Sequence, residues 1–230
     1  MGNMLNNFID IIAAPNQVFT RLKEKPGWLL PWLVIALVAA SVQFGFYSVV
    51  DSEFLLDQLV EQSLRPGVSE SDLRATLAST VENKTLLAVA SSVGVFVALL
   101  VVFAINATYL YLISKFSEND VTFKQWYSLI AWCSVPSVFT ALAAWVLILS
   151  SGGLVELSAM SPLNLNYLLF SSEGDYAALL NILDLMTFWV LVLTILGYKS
   201  FMQCTMPKAT LIVLAPYVII LAVWVSIIAF

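Results

Sequence analysis

The chain has 230 residues, 60% hydrophobic and 11% charged, with a net charge of −5 and no histidine. Soluble domains run at about 45–50% apolar and about 25% charged, so a polytopic membrane protein is the class that fits. A pI near 4.6 excludes the basic face that nucleic acid requires, and the missing imidazoles remove Ser-His and Cys-His nucleophiles and the usual zinc sites.

In residues 1–27, Leu5, Phe8, Ile9 and Ile12, then Val18, Phe19 and Leu22 after Pro15, recur at helical spacing. Two short amphipathic turns meet at Pro15. With Arg21, Lys23 and Lys25 at its end, the segment either lies in the bilayer interface beside anionic head groups or packs on the inner face of a bundle. Its polar, proline-containing character does not match a cleavable signal, so the first span is expected to stay in the mature protein.

Residues 28–230 read as a membrane domain with five spans. The first, about 28–50, is long enough for a hydrocarbon core of about 30 Å and carries Gln43 as its one strongly polar residue. Residues 51–85 form an extracytoplasmic hairpin of two amphipathic helices broken at Arg65-Pro66-Gly67, with Ser69 and Asp72 as a helix-start signal. The hairpin's excess of acids either solvates it or attracts cations. The second span, about 86–114, exceeds one crossing and ends near Asn106, Tyr109 and Tyr111. On it, Ala90, Ser91, Gly94 and Ala98 offer a small-residue face for another span or another copy of the chain.

A short link carrying Lys115 and Lys124 leads to the third span, about 126–149, which contains Pro136. Trp126, Tyr127 and Trp132 are expected in an interfacial aromatic belt, with Lys115, Lys124 and Trp126 as candidates for contact with a cytoplasmic partner. Residues 150–176 hold Glu156, Glu173 and Asp175, no base and a strongly apolar half that includes Phe170, and so suggest a re-entrant or surface-lying segment. The fourth span is about 178–198 and the fifth about 209–229.

Seven of the ten basic residues fall in the N-terminal segment and the links after the second and fourth spans. Positive residues stay in the cytoplasm, so the N-terminus is expected inside and the C-terminus outside.

No catalytic set, cofactor motif or metal-ligand spacing is visible, and Cys133 and Cys204 do not suggest a pair. Attention falls on polar groups in apolar spans, where a central charge costs about 2.5–3.5 kcal/mol. Asp184, about two turns into the fourth run with Asn181 one turn before it, either binds a proton or cation inside the bundle or sits at the outer interface. Asn106 either contributes to a polar site or ties helices together through Gln43 or the backbone freed by Pro136. Pro136 and Pro216 each interrupt a helix ladder, giving either a plain kink or carbonyls open to a ligand. Two functions follow. One is a non-enzymatic scaffold that organises lipid or partners, among them another copy of itself or a second membrane protein. The other is a transporter or channel using Asp184, Asn106 and the two kinks.

Several short patterns carry a resemblance. They are Ile11-Ile12-Ala13-Ala14-Pro15-Asn16-Gln17-Val18-Phe19, Lys23-Glu24-Lys25-Pro26 and Trp28-Leu29-Leu30-Pro31, then Val121-Thr122-Phe123-Lys124-Gln125-Trp126, the stretch from Ala131 to Pro136, and Leu196-Gly197-Tyr198 leading to Lys208-Ala209-Thr210. Together these resemble the Yip1-domain family of integral membrane proteins, especially its bacterial members. The resemblance implies a five-helix membrane domain with a cytoplasmic N-terminus, in a bacterial inner membrane. Eukaryotic members are linked to Rab GTPases and vesicle traffic, but their acidic N-terminal extension and Asp-Leu-Tyr-Gly-Pro motif are absent here, so a Rab-type partner is not expected.

Overall fold

The computed structural model describes residues 2–65, 67–117, 119–169 and 177–229. Among the described residues five helices are long and apolar enough to cross a membrane. They are α3 (Leu29–Val49), α6 (Lys84–Lys115), the broken span formed by α7 (Phe123–Cys133) and α8 (Val138–Ser150), α11 (Leu185–Met202) and α12 (Met206–Ala229). At about 1.5 Å per residue α6 is about 48 Å long, which overshoots a 30 Å core and carries its start toward the hairpin. The architecture is an all-α polytopic bundle.

The N-terminal segment folds as α1 (Gly2–Ala13) and α2 (Pro15–Glu24), with Pro15 at the first position of α2, where its missing N–H breaks no bond. Ile11, Val18, Phe19 and Leu22 are buried in the same core as residues of α3, α6, α7, α11 and α12. Of the two placements open for this segment, packing on the bundle is the one observed for α2. On α1, Leu5 and Ile9 remain exposed. An ion pair from Arg21 to Asp10 holds the two helices together.

A second core lies at the other end. There α4 (Ser52–Ser63) and α5 (Glu70–Glu82) form the hairpin, and Leu55 and Val81 bury against Val42 and Phe46 of α3 and Ala144 and Ile148 of α8. Asp51 caps α4 by accepting the Glu53 and Phe54 N–H groups. Ser69 precedes α5 but makes no such bond, because its hydroxyl meets that of Ser71 at 2.8 Å. Pro66 of the proposed break lies outside the described residues; Gly67 beside it has φ 89°, which glycine adopts without strain.

Close helix approach depends on two glycines. A Cβ on Gly45 would stand 2.3 Å from the Trp145 ring, and one on Gly197 2.4 Å from Leu129 Cδ1. The first contact lets Trp145 Nε1 donate to Ser41 Oγ at 3.0 Å, joining α8 to α3. Gly94, by contrast, faces open space, and Ala90 and Ala98 are exposed, so that small-residue face packs on nothing among the described residues.

Residues 151–160 follow α8. They lie over the hairpin end, with Val155 and Ala159 buried in the second core and Gln58 bonded to both Val155 O and Leu157 N. Phe170, Glu173 and Asp175 lie outside the described residues. The fourth span also starts later than the sequence pattern suggests. Leu165–Leu168 is one helical turn, α9, and Ala177–Ile182 is a separate short helix, α10; the chain then makes an antiparallel bridge in which Leu165 N–H donates to Leu183 O and Leu185 N–H to Leu163 O. That bridge takes the backbone groups a continuous helix would use, and α11 begins at Leu185.

Candidate functional site

The start of α7 is where the N-terminal end of the bundle is assembled. Thr122 and Gln125 form a capping box, with Gln125 Oε1 accepting the Thr122 N–H at 2.7 Å. The other end of the same amide donates to Lys23 O at 2.7 Å, tying α7 to the end of α2. Threonine followed three residues later by glutamine is the signal for this cap that the sequence carries.

Trp126 then enters the core. It is fully buried, stacked on Tyr198 at 5.4 Å and against Phe201 at 5.3 Å, and its Nε1 donates to Ser114 Oγ at 3.2 Å. Trp132 is equally buried and donates to Gly27 O at 2.8 Å. Neither belongs to an interfacial belt, and Trp126 offers no surface to a partner. Of the three residues expected there, Lys115 and Lys124 are exposed. Lys115 Nζ lies over the Tyr111 ring at 4.9 Å.

Beside Lys124 the surface is indented. The recess has a volume of about 350 Å³ and is lined by Trp28, Leu100, Ala104, Phe123, Lys124 and Tyr127. Trp28 and Tyr127 meet edge to face at 5.0 Å, and the Tyr127 hydroxyl is turned away to Leu100 O at 3.3 Å. A smaller recess of about 280 Å³ lies toward the hairpin, lined by Phe44, Tyr47, Ser48, Lys84, Thr85 and Ala88. There Lys84 Nζ donates to Val50 O at 2.8 Å.

The four intramembrane polar candidates do not come together. Asp184 is the N-cap of α11, accepting the Met186 N–H at 2.7 Å and the Thr140 hydroxyl at 3.1 Å. It therefore stands at the start of the helix rather than two turns inside it, about 27 Å along α11 from Met202. Asn181 is exposed on the separate α10. Asn106 accepts from the Tyr217 hydroxyl at 2.8 Å and donates to Val102 O at 2.9 Å, so its partner is α12 and not Gln43 or the turn at Pro136. Gln43 is half-buried in α3 and makes no side-chain hydrogen bond among the described residues. None of the four lines either recess.

The prolines are similarly closed to a ligand. Pro136 sits in a 3₁₀ turn, Val135–Ser137, where Ser137 N–H bonds Ser134 O and the Ser134 hydroxyl bonds Ile130 O. Pro216 lies inside α12 and has no N–H for the carbonyl four residues earlier, which is that of Ile212. The Tyr109 hydroxyl of α6 fills the vacancy, donating to Ile212 O at 2.7 Å. Nothing in the sequence announces this pairing, because no local pattern links residue 109 to residue 212.

Among the described residues no group of three or more Cys, Asp or Glu is placed to hold a metal ion. Both cysteines are free thiols. Comparison with family models matches residues 9–227 to the Yip1 domain, which takes in both N-terminal helices in part or whole and all five spans. Comparison with curated proteins and with solved structures gave no match.

Proposed function

The chain belongs to the Yip1-domain family, and from that premise we propose that it is a non-enzymatic scaffold of a bacterial inner membrane, organising lipid or protein partners at its N-terminal end. The observation that carries this reading is the dispersal of the intramembrane polar groups. Asp184 joins α11 to α8 through Thr140, and Asn106 joins α6 to α12 through Tyr217. A transport pathway needs such groups around a shared cavity, whereas here Asp184 and Asn106 are each used in packing one helix on another, and Gln43 and Asn181 stand apart from them.

Charge supports an orientation with the N-terminus in the cytoplasm and the C-terminus outside. Links on the N-terminal side carry seven basic and four acidic residues, and those on the hairpin side three and eleven. The basic end then faces the anionic cytoplasmic leaflet, with Lys115 and Lys124 exposed toward a lipid or a partner. Small-residue exposure along α6 gives a second copy or another membrane protein a place to pack.

Cysteine accessibility tests both parts. In a background with Cys133 and Cys204 replaced by alanine, single cysteines are placed at positions 43, 68, 106 and 184. The scaffold reading predicts that a small charged thiol reagent labels position 68 from outside only and leaves 43 and 106 unlabelled from either side. Labelling of 43 and 106 by an aqueous reagent would reveal a water-filled path and overturn it.

A further inference from the structure

We infer that the recess beside Lys124 is a binding site for one acyl chain of an anionic phospholipid, with the phosphate held at the Lys124 ammonium. This rests on the scaffold reading and names its lipid. Of its lining, Leu100 and Ala104 belong to α6, Phe123, Lys124 and Tyr127 to the start of α7, and Trp28 immediately precedes α3.

Two features select the occupant. The first is the lining: with the Tyr127 hydroxyl committed to Leu100 O, the recess offers hydrocarbon and aromatic surface throughout, save for one ammonium at its rim. The second is the charge. Arg21 and Arg74 are ion-paired, Lys23 and Lys84 donate to the backbone carbonyls of Ser200 and Val50, and Lys115 lies over Tyr111. Like the exposed Lys25, Lys199 and Lys208, the Lys124 ammonium has neither an ion pair nor a hydrogen bond among the described residues, and of these four it is the one that lines the recess. An apolar slot in a membrane-spanning bundle with an unpaired cation at its mouth is complementary to an acyl chain ending in a net negative head group, and less so to a zwitterionic one. Leu100 lies about 22 Å along α6 from its Lys115 end, well inside the apolar span.

The full-length protein, purified in detergent, is titrated with phosphatidylglycerol or phosphatidylcholine of identical chains, and bound lipid is counted by native mass spectrometry. One tightly held phosphatidylglycerol is expected, preferred over phosphatidylcholine. Lys124→Gln changes an exposed side chain and should lower that preference about fivefold, the factor expected for one lysine near anionic lipid. Ala104→Phe puts a ring into the lining and should reduce retention of both lipids, while Lys84→Gln, at the opposite end, should change neither. A graded series of lipids without a single preferred adduct, or a preference unaltered by Lys124→Gln, overturns the proposal. Either result leaves the labelling of positions 43 and 106 untouched, so failure of the lipid site and failure of the scaffold reading are distinguishable.

Discussion

Replacing Tyr109 by phenylalanine removes one hydroxyl from α6, and its effect should depend on a residue on another helix. In the native chain that hydroxyl is the donor to Ile212 O, the carbonyl that Pro216 leaves without an N–H. An unsatisfied buried carbonyl costs about 1–3 kcal/mol in general, and measured interhelical bonds in membranes average about 0.6 and reach about 1.7 kcal/mol. Tyr109→Phe should thus destabilise the protein by about 0.6–1.7 kcal/mol. In a Pro216→Ala background the new N–H satisfies Ile212 O within α12, so the same substitution should cost little. The difference between backgrounds is the coupling energy, measured by reversible unfolding in mixed micelles followed by helical circular dichroism. Equal costs in the two backgrounds would refute the proposed pairing.

Other substitutions test how the helices are held. Gly197→Ala drives a Cβ into Leu129, a fully buried side chain, and should cost about 1–3 kcal/mol by thermal unfolding in detergent. The paired Leu129→Ala should make Gly197→Ala much less harmful than it is alone. Gln125→Ala removes both its half of the capping box and the bond to Lys23 O, so limited proteolysis should show the junction of α2 and α7 opening first. Trp126→Ala empties a fully buried, stacked site and should cost about 3–5 kcal/mol, seen as loss of monodisperse protein on purification. An interfacial Trp126 would have tolerated the change.

How much of the fold is legible in the sequence depends on the range of the interaction. The five apolar runs set the spans because hydrocarbon demands about 20 apolar residues per crossing, and the run at 86–114 is visibly overlong, as α6 is. The fourth span shows the limit of that rule. Ala177–Ile182 is apolar and helical, yet the bridge between Asn164 and Asp184 cuts it off from α11, and no local pattern announces a bridge twenty residues back. Aromatic residues mislead for a related reason. Tryptophan suits an interface and a core equally well, and what decides for Trp126 is the presence of Tyr198 and Ser114 from two other helices. Asn106 is legible as a polar residue needing a partner, but the partner, Tyr217, is 111 positions away. Likewise the Yip1-type patterns at Val121–Trp126 and Leu196–Tyr198 gain a physical meaning only in three dimensions. They supply the cap, the Trp126–Tyr198 stack and the Gly197–Leu129 contact of a single junction.

The central claim, that Asp184 and Asn106 pack helices and do not conduct, is tested most directly by flux. The purified protein is reconstituted into sealed liposomes under proton, sodium and potassium gradients, alongside Asp184→Asn, which keeps a competent N-cap and should fold. The account predicts that both preparations leak no faster than protein-free vesicles. A flux above that baseline that Asp184→Asn alters would contradict it.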